Sequence, residues 1–74
     1  DYGRGVARNV RSAYRWYAKA AANGDVEGMV AAADCLFFGD GVRRNPSQAT
    51  ALYRKAARRG SAKAAAALTR IRSE

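Results

Sequence analysis

At 74 residues the chain makes at most one small domain, and a chain this short buries only about 60% of the surface its unfolded form exposes. Fourteen lysines and arginines against six carboxylates give a net charge of +8, which admits acidic or polyanionic partners without choosing among them. A single cysteine, Cys35, excludes an intramolecular disulfide framework, and there is no run of about 18 apolar residues to span a bilayer.

Residues 1–8 contain Tyr2-Gly3-Arg4-Gly5-Val6, which returns as Phe38-Gly39-Asp40-Gly41-Val42. Paired glycines of this kind suit a turn between helices, so the chain is expected to open on a partial-repeat turn. From 9 to 24 the apolar residues Val10, Ala13, Tyr14, Tyr17, Ala20 and Ala21 recur at three- and four-residue steps, the periodicity of a helix. Asn9 is its expected N-cap and Gly24 its left-handed stop. Trp16 lies beside the apolar stripe, either covering a neighbouring helix or partly exposed.

A second helix is expected over 25–38, capped by Asp25, with Glu27 placed to complement the helix dipole and with Met29, Ala32, Ala33 and Leu36 inward. Gly28 inside it costs roughly 1 kcal/mol against alanine, a cost explained if the missing side chain lets another helix come close. A turn over 39–45 follows. Asn45-Pro46 then restarts a helix over 46–60, with a capping side chain, proline at the first helical position and Gln48 three residues after the cap. Ala49, Leu52, Tyr53, Ala56 and Ala57 form its inward stripe. Ser61 opens a fourth helix over 61–73, in which Leu68 and Ile71 are the large apolar residues. The short connections imply antiparallel neighbours.

The chain repeats itself. Gly39, Gly41, Val42, Arg44, Asn45, Ala49, Tyr53, Lys55, Ala56, Ala57 and Gly60 each have the same residue 36 positions earlier, at Gly3, Gly5, Val6, Arg8, Asn9, Ala13, Tyr17, Lys19, Ala20, Ala21 and Gly24. A period of this size indicates a solenoid of helical hairpins, so the fold class is all-α. Because such arrays usually need about three repeats to be stable, and the apolar residues are largely alanine, a longer parent array or self-association is expected.

These residues resemble the Sel1-like repeat family, a relative of tetratricopeptide repeats. The resemblance rests on Gly39-Asp40-Gly41-Val42, Asn45, Ala49, Leu52-Tyr53, Lys55-Ala56-Ala57 and Gly60, and on their counterparts Gly3-Arg4-Gly5-Val6, Asn9, Ala13, Trp16-Tyr17, Lys19-Ala20-Ala21 and Gly24. It covers nearly the whole chain as one repeat domain, 1–74. The first-helix pattern is weaker: Gly28, Ala32, Ala33 and Leu36, then Ala64, Leu68, Thr69 and Arg72, stand where the family has Ala, Leu, Gly and Tyr. The resemblance implies a right-handed α-solenoid acting as a protein-interaction scaffold, of a family common in bacteria and found in envelope and signalling proteins. It also implies that the first helices line a concave face, which places Glu27, Val30, Asp34, Phe37, Lys63, Ala66 and Arg70 as the expected contacts to a protein or peptide partner.

Chemistry by side chains finds little support. There is no histidine, and Asp25, Glu27, Asp34 and Asp40 form no evident acid and base pair. Cys35 has no histidine to activate it. The paired glycines lack the third glycine and preceding strand of a dinucleotide fingerprint. The residues therefore require no cofactor and no metal. The competing functional reading is basic: Arg8, Arg11, Arg15 and Lys19 form one stripe, and Arg54, Lys55, Arg58 and Arg59 another beside Arg43 and Arg44. Such ridges suit nucleic acid or an anionic membrane surface through salt-sensitive phosphate contacts, with Arg8, Arg11, Arg15, Lys19, Arg54 and Arg58 as the contact residues. Solvated helix faces account for them better, because the resemblance places both stripes on second helices, which face outward.

Overall fold

The structure, a computed structural model, describes residues 2–73, with side chains described from Arg11 to Arg72. Four helices follow one another: α1 (Tyr2–Ala22), α2 (Val26–Phe38), α3 (Pro46–Arg58) and α4 (Ala62–Ser73). The described residues contain no strand. Each helix packs on its neighbour in chain order.

The junction from α1 to α2 is a left-handed glycine stop. Gly24 has φ +92°, its N–H donates to Ala21, and the Asp25 N–H donates to Ala20, both at 3.0 Å. The junction from α3 to α4 repeats this 36 residues later: Gly60 has φ +100°, its N–H bonds to Ala57 and the Ser61 N–H to Ala56. Both satisfy carbonyls that a helix end leaves without partners.

Capping differs between the two copies. The Ser61 hydroxyl accepts from the Ala64 N–H at 3.1 Å, as expected. Asp25 holds the N-cap position of α2 but its carboxylate makes no cap hydrogen bond. The expected carboxylate cap is thus replaced by backbone bonds, in which Asp25 closes the glycine stop and its carbonyl accepts from Met29.

The link from α2 to α3 is denser. The Cys35 carbonyl accepts from Gly39 and Asp40, and the Leu36 carbonyl from the Asn45 N–H at 2.7 Å. Arg44 Nε donates to the Phe37 carbonyl at 3.0 Å, with its guanidinium 5.8 Å from the Phe37 ring centroid. The last turn of α2 is thereby satisfied, and the chain reverses. Asn45 Oδ1 then accepts from the Gln48 N–H at 3.1 Å, and Asn45 Nδ2 donates to Gln48 Oε1 at 3.2 Å, so cap and third residue interlock as the spacing suggests.

At the first copy of this motif the structure departs from expectation. Residues 3 and 5 are helical, and α1 begins at Tyr2, before Asn9. Residues 2–8 instead continue the hydrogen-bonded ladder of α1, since a glycine inside a helix costs only about 1 kcal/mol and does not by itself break it.

The core is built mainly from small residues: Ala21, Met29, Ala33, Leu36, Ala49, Tyr53, Ala56, Ala64 and Ala67. Alanines at helix contacts let backbones approach closely. Gly28 takes this furthest, since a Cβ there would lie 2.7 Å from Ala20 Cβ, 3.0 Å from the Ala21 nitrogen and 3.1 Å from the Tyr17 carbonyl oxygen. The expected inward stripes of α2 and α3 are buried or half-buried. In α1 the expectation fails at Tyr17: Ala21 is buried and Ala13, Tyr14 and Ala20 half-buried, but Tyr17 is 39% exposed; the Val10 side chain lies outside the described residues, and Trp16, expected beside the stripe, is 68% exposed. Periodicity identifies a potential inward stripe; it does not supply the helix that would cover it.

Candidate functional site: a groove between α2 and α4

The directions of the helices follow from their ties. At one end of the α2 and α3 pair Asn45 bonds to Leu36. At the other, Arg59 Nη1 reaches back to the Gly24 carbonyl at 3.2 Å, beside the start of α2. The two helices are therefore antiparallel. The ends of α4 lie by the matching ends of α2, because Val26 and Glu27 share a cavity with Ala62 and Lys63, while Phe37 and Phe38 share another with Arg70 and Ile71. Helix α4 thus runs parallel to α2, with α3 behind them.

Between them lies a solvent-open groove. Its larger part, about 770 Å³, has Asp25, Glu27, Val30, Ala31 and Asp34 on one wall, Ser61, Ala62 and Lys63 on the other, and Tyr17 and Ala20 of α1 at its margin. A smaller cavity of about 180 Å³ toward the C-terminal ends is lined by Phe37, Phe38, Tyr53, Ala67, Arg70 and Ile71. Six of the seven residues expected to contact a partner divide between these two spaces. Glu27, Val30, Asp34 and Lys63 line the first, and Phe37 and Arg70 the second. Ala66 is exposed on α4 but lines neither.

Asp34 and Tyr53 join the two spaces. The Tyr53 hydroxyl donates a hydrogen bond to Asp34 Oδ1, linking the middle of α3 to the middle of α2. Tyr53 is only 2% exposed. Burial first, and then its bond to Asp34, push its phenol well above the ordinary range, against a smaller opposing effect of the Arg70 charge. Asp34 is an exposed groove residue and, at the same time, a tie in the scaffold. Beside it, burial and then the charges of Asp40 and Asp34 push the Cys35 thiol up, away from the reactive thiolate.

The basic residues fall into two sets. Arg44 and Arg59 hold backbone carbonyls across two helix junctions. Arg11, Arg15, Lys19, Arg54 and Arg58 are exposed, on α1 and α3, and the Arg8 side chain lies outside the described residues. Ser12, Arg15, Trp16 and Lys19 line a shallow space of about 280 Å³ on α1, where the Lys19 ammonium lies 5.9 Å from the Trp16 ring centroid. Among the described residues no group of acidic, histidine or cysteine side chains is arranged to hold a metal ion, and no helix is long and apolar enough to cross a membrane.

Sequence reasoning missed three features. The recurrence of Arg44 as Arg8 and of Tyr53 as Tyr17 carried a signal that these residues serve the repeat. Arg59 carried none, because its counterpart is Asn23.

Stacked helices joined by repeated glycine stops, with a groove between alternate helices, define an α-helical repeat protein of the solenoid class. A family model of the Sel1 repeat matches residues 1–25 and 26–61, most of the chain, and the chain belongs to the Sel1 repeat family. Both matched segments end at an N-cap residue or its first neighbour beyond a glycine stop, Asp25 and Ser61. Sel1 repeats generally serve as protein–protein interaction modules. Comparison with curated proteins and with solved structures gave no match.

Proposed function

We propose that this domain is a non-catalytic adaptor that binds an extended protein or peptide segment in the groove between α2 and α4. The observation carrying the reading is the placement of Glu27, Val30, Asp34 and Lys63, which sequence reasoning singled out, around one open space of about 770 Å³. Carboxylates and an ammonium on facing walls, with apolar Val30 and Ala31 beside the carboxylates, suit a peptide with its alternating polar and apolar groups. They suit a phosphate backbone less.

The test is selection of peptides from a random display library on the immobilised domain. Enriched peptides are expected to lose binding to Glu27→Lys and Lys63→Glu, both exposed positions, and to keep binding to Arg54→Glu on α3. Equal binding to all three variants refutes the groove. Asp34 is unsuitable as the first probe, because its replacement also removes the bond to Tyr53.

The second reading is a polyanion-binding module for nucleic acid or an anionic membrane surface. It is supported by the exposure of Arg11, Arg15, Lys19, Arg54 and Arg58, and is narrowed by the structural employment of Arg44 and Arg59. Titration with duplex DNA and with anionic vesicles at two salt concentrations decides it, since phosphate contacts weaken steeply as salt rises.

A further inference from the structure

We propose that the segment bound in the groove carries a lysine or arginine for the carboxylates that open α2 and, four residues away, a large apolar side chain for the cavity at Phe37 and Phe38. This rests on the groove reading above and adds the chemistry of its occupant.

The apolar subsite comes from the end of α2. The Phe37 and Phe38 rings meet edge to face, with centroids 5.1 Å apart. With Ala67 and Ile71 of α4 they line the cavity of about 180 Å³. Phe38 is 64% exposed, so aromatic surface faces water at this point. A large apolar side chain seated there removes apolar area of both partners from water. Arg70 stands in the same wall, which disfavours a ligand cation at this end.

The charged subsite lies at the opposite end. Among the described residues Asp25, Glu27 and Asp34 line the larger space, half of the chain's six carboxylates, against Arg59 and Lys63 of its fourteen cations. Their employment differs. Asp34 accepts from the Tyr53 hydroxyl, and the Arg59 guanidinium is held by the Gly24 carbonyl. The Asp25 carboxylate makes no cap bond to its own helix, and Glu27 is exposed one turn into α2. On a chain of net charge +8, this wall is where acid predominates, and a basic side chain is its complement.

The helix between the two subsites sets the spacing. From Glu27 to Phe37 α2 rises about 15 Å, which an extended chain covers in about four residues. Side chains at i and i+4 of an extended chain project to the same side, so one segment reaches both subsites with two side chains at that separation.

The probe is a phage-displayed library of random dodecapeptides, selected in parallel on the whole domain and on its Glu27→Lys variant. The parent is expected to enrich a base and a large apolar residue at i and i+4. The variant is expected to enrich an acid in place of the base at the same spacing. For an enriched peptide made synthetically, Glu27→Gln should weaken binding about twofold to fivefold, the effect of one exposed ion pair. Phe38→Ala should weaken it about threefold to tenfold, with no comparable loss once the peptide's apolar residue is itself alanine. Both positions are exposed, so helicity should be unchanged; where Phe38→Ala lowers it, the Glu27→Lys selection still decides. The proposal is overturned by acids enriched on the parent, by the same consensus on both domains, or by base and apolar residues at no fixed separation. Self-association that Phe38→Ala abolishes also overturns it, by giving the aromatic cavity to a second copy. Acidic peptides that lose binding to Lys63→Glu overturn the ligand chemistry and leave the groove reading standing. Peptides that ignore Glu27→Lys and Lys63→Glu alike, or no enrichment at all, overturn both.

Discussion

The contact between α1 and α2 gives the sharpest test of how this fold is held. In Gly28→Ala the new Cβ would stand 2.7 Å from Ala20 Cβ, 3.0 Å from the Ala21 nitrogen and 3.1 Å from the Tyr17 carbonyl oxygen. Two of the three atoms belong to the backbone of α1, so rotation of a side chain cannot relieve the overlap. Overpacking of this kind costs about 1–3 kcal/mol, while alanine in place of a mid-helix glycine returns about 1 kcal/mol of helix propensity. The net expectation is a loss of up to about 2 kcal/mol, in which the steric cost exceeds the propensity gain because two of the opposing atoms are backbone. For a domain of this size each 1 kcal/mol moves the melting temperature by about 4–8 °C. Total stability is expected at roughly 4–11 kcal/mol from the usual value per residue, so the loss is readable by thermal and urea denaturation followed by circular dichroism. Ala20→Gly in the Gly28→Ala background should recover only part of it, because the backbone contacts remain. A melting temperature of Gly28→Ala at or above that of the parent would refute the reasoning and show that α1 is free to move away.

Met29 is fully buried between the helices, and Met29→Ala should cost about 2–5 kcal/mol in urea denaturation. Asn45→Ala removes the side-chain cap of α3 and should cost about 0.5–2 kcal/mol. Tyr53 has its phenol pushed up in the fold, so its neutral form is favoured by folding: this stability is complete below an unfolded value of about 10 and declines as pH rises above it. Tyr53→Phe should therefore flatten the alkaline loss in a series of melts above about pH 10. Cys35 is buried with its thiol pushed up, and a disulfide exchange reagent near neutral pH should modify it far more slowly than in urea-unfolded protein.

Much of the fold is legible in the sequence because its determinants are local. Helical periodicity, Asn45-Pro46 with Gln48, and the glycines at 24, 39 and 60 act over a few residues, and the helices and stops stand where these signals place them. The same local logic misreads residues 2–8, where the glycine pair resembles a turn but the backbone is helical. It also misreads Asp25, whose backbone is engaged and whose carboxylate makes no cap bond.

The candidate site is legible only in outline. The family resemblance ranks Glu27, Val30, Asp34, Phe37, Lys63 and Arg70 as residues of first helices, but that four of them enclose one space and two another depends on how far α2 and α4 stand apart across α3. No local signal encodes that separation. It is set by small residues at the helix contacts, by Gly28 against Ala20, and by bonds spanning distant positions, Tyr53 to Asp34 and Arg59 to Gly24. The sequence by itself determined four helices, their stops and a repeat, since each needs only neighbouring residues. Tertiary structure decided that Asp34 is both groove wall and scaffold, that Arg44 and Arg59 are ties, and that Tyr17 and Trp16 stay exposed while their counterparts do not, because burial depends on which helix lies alongside.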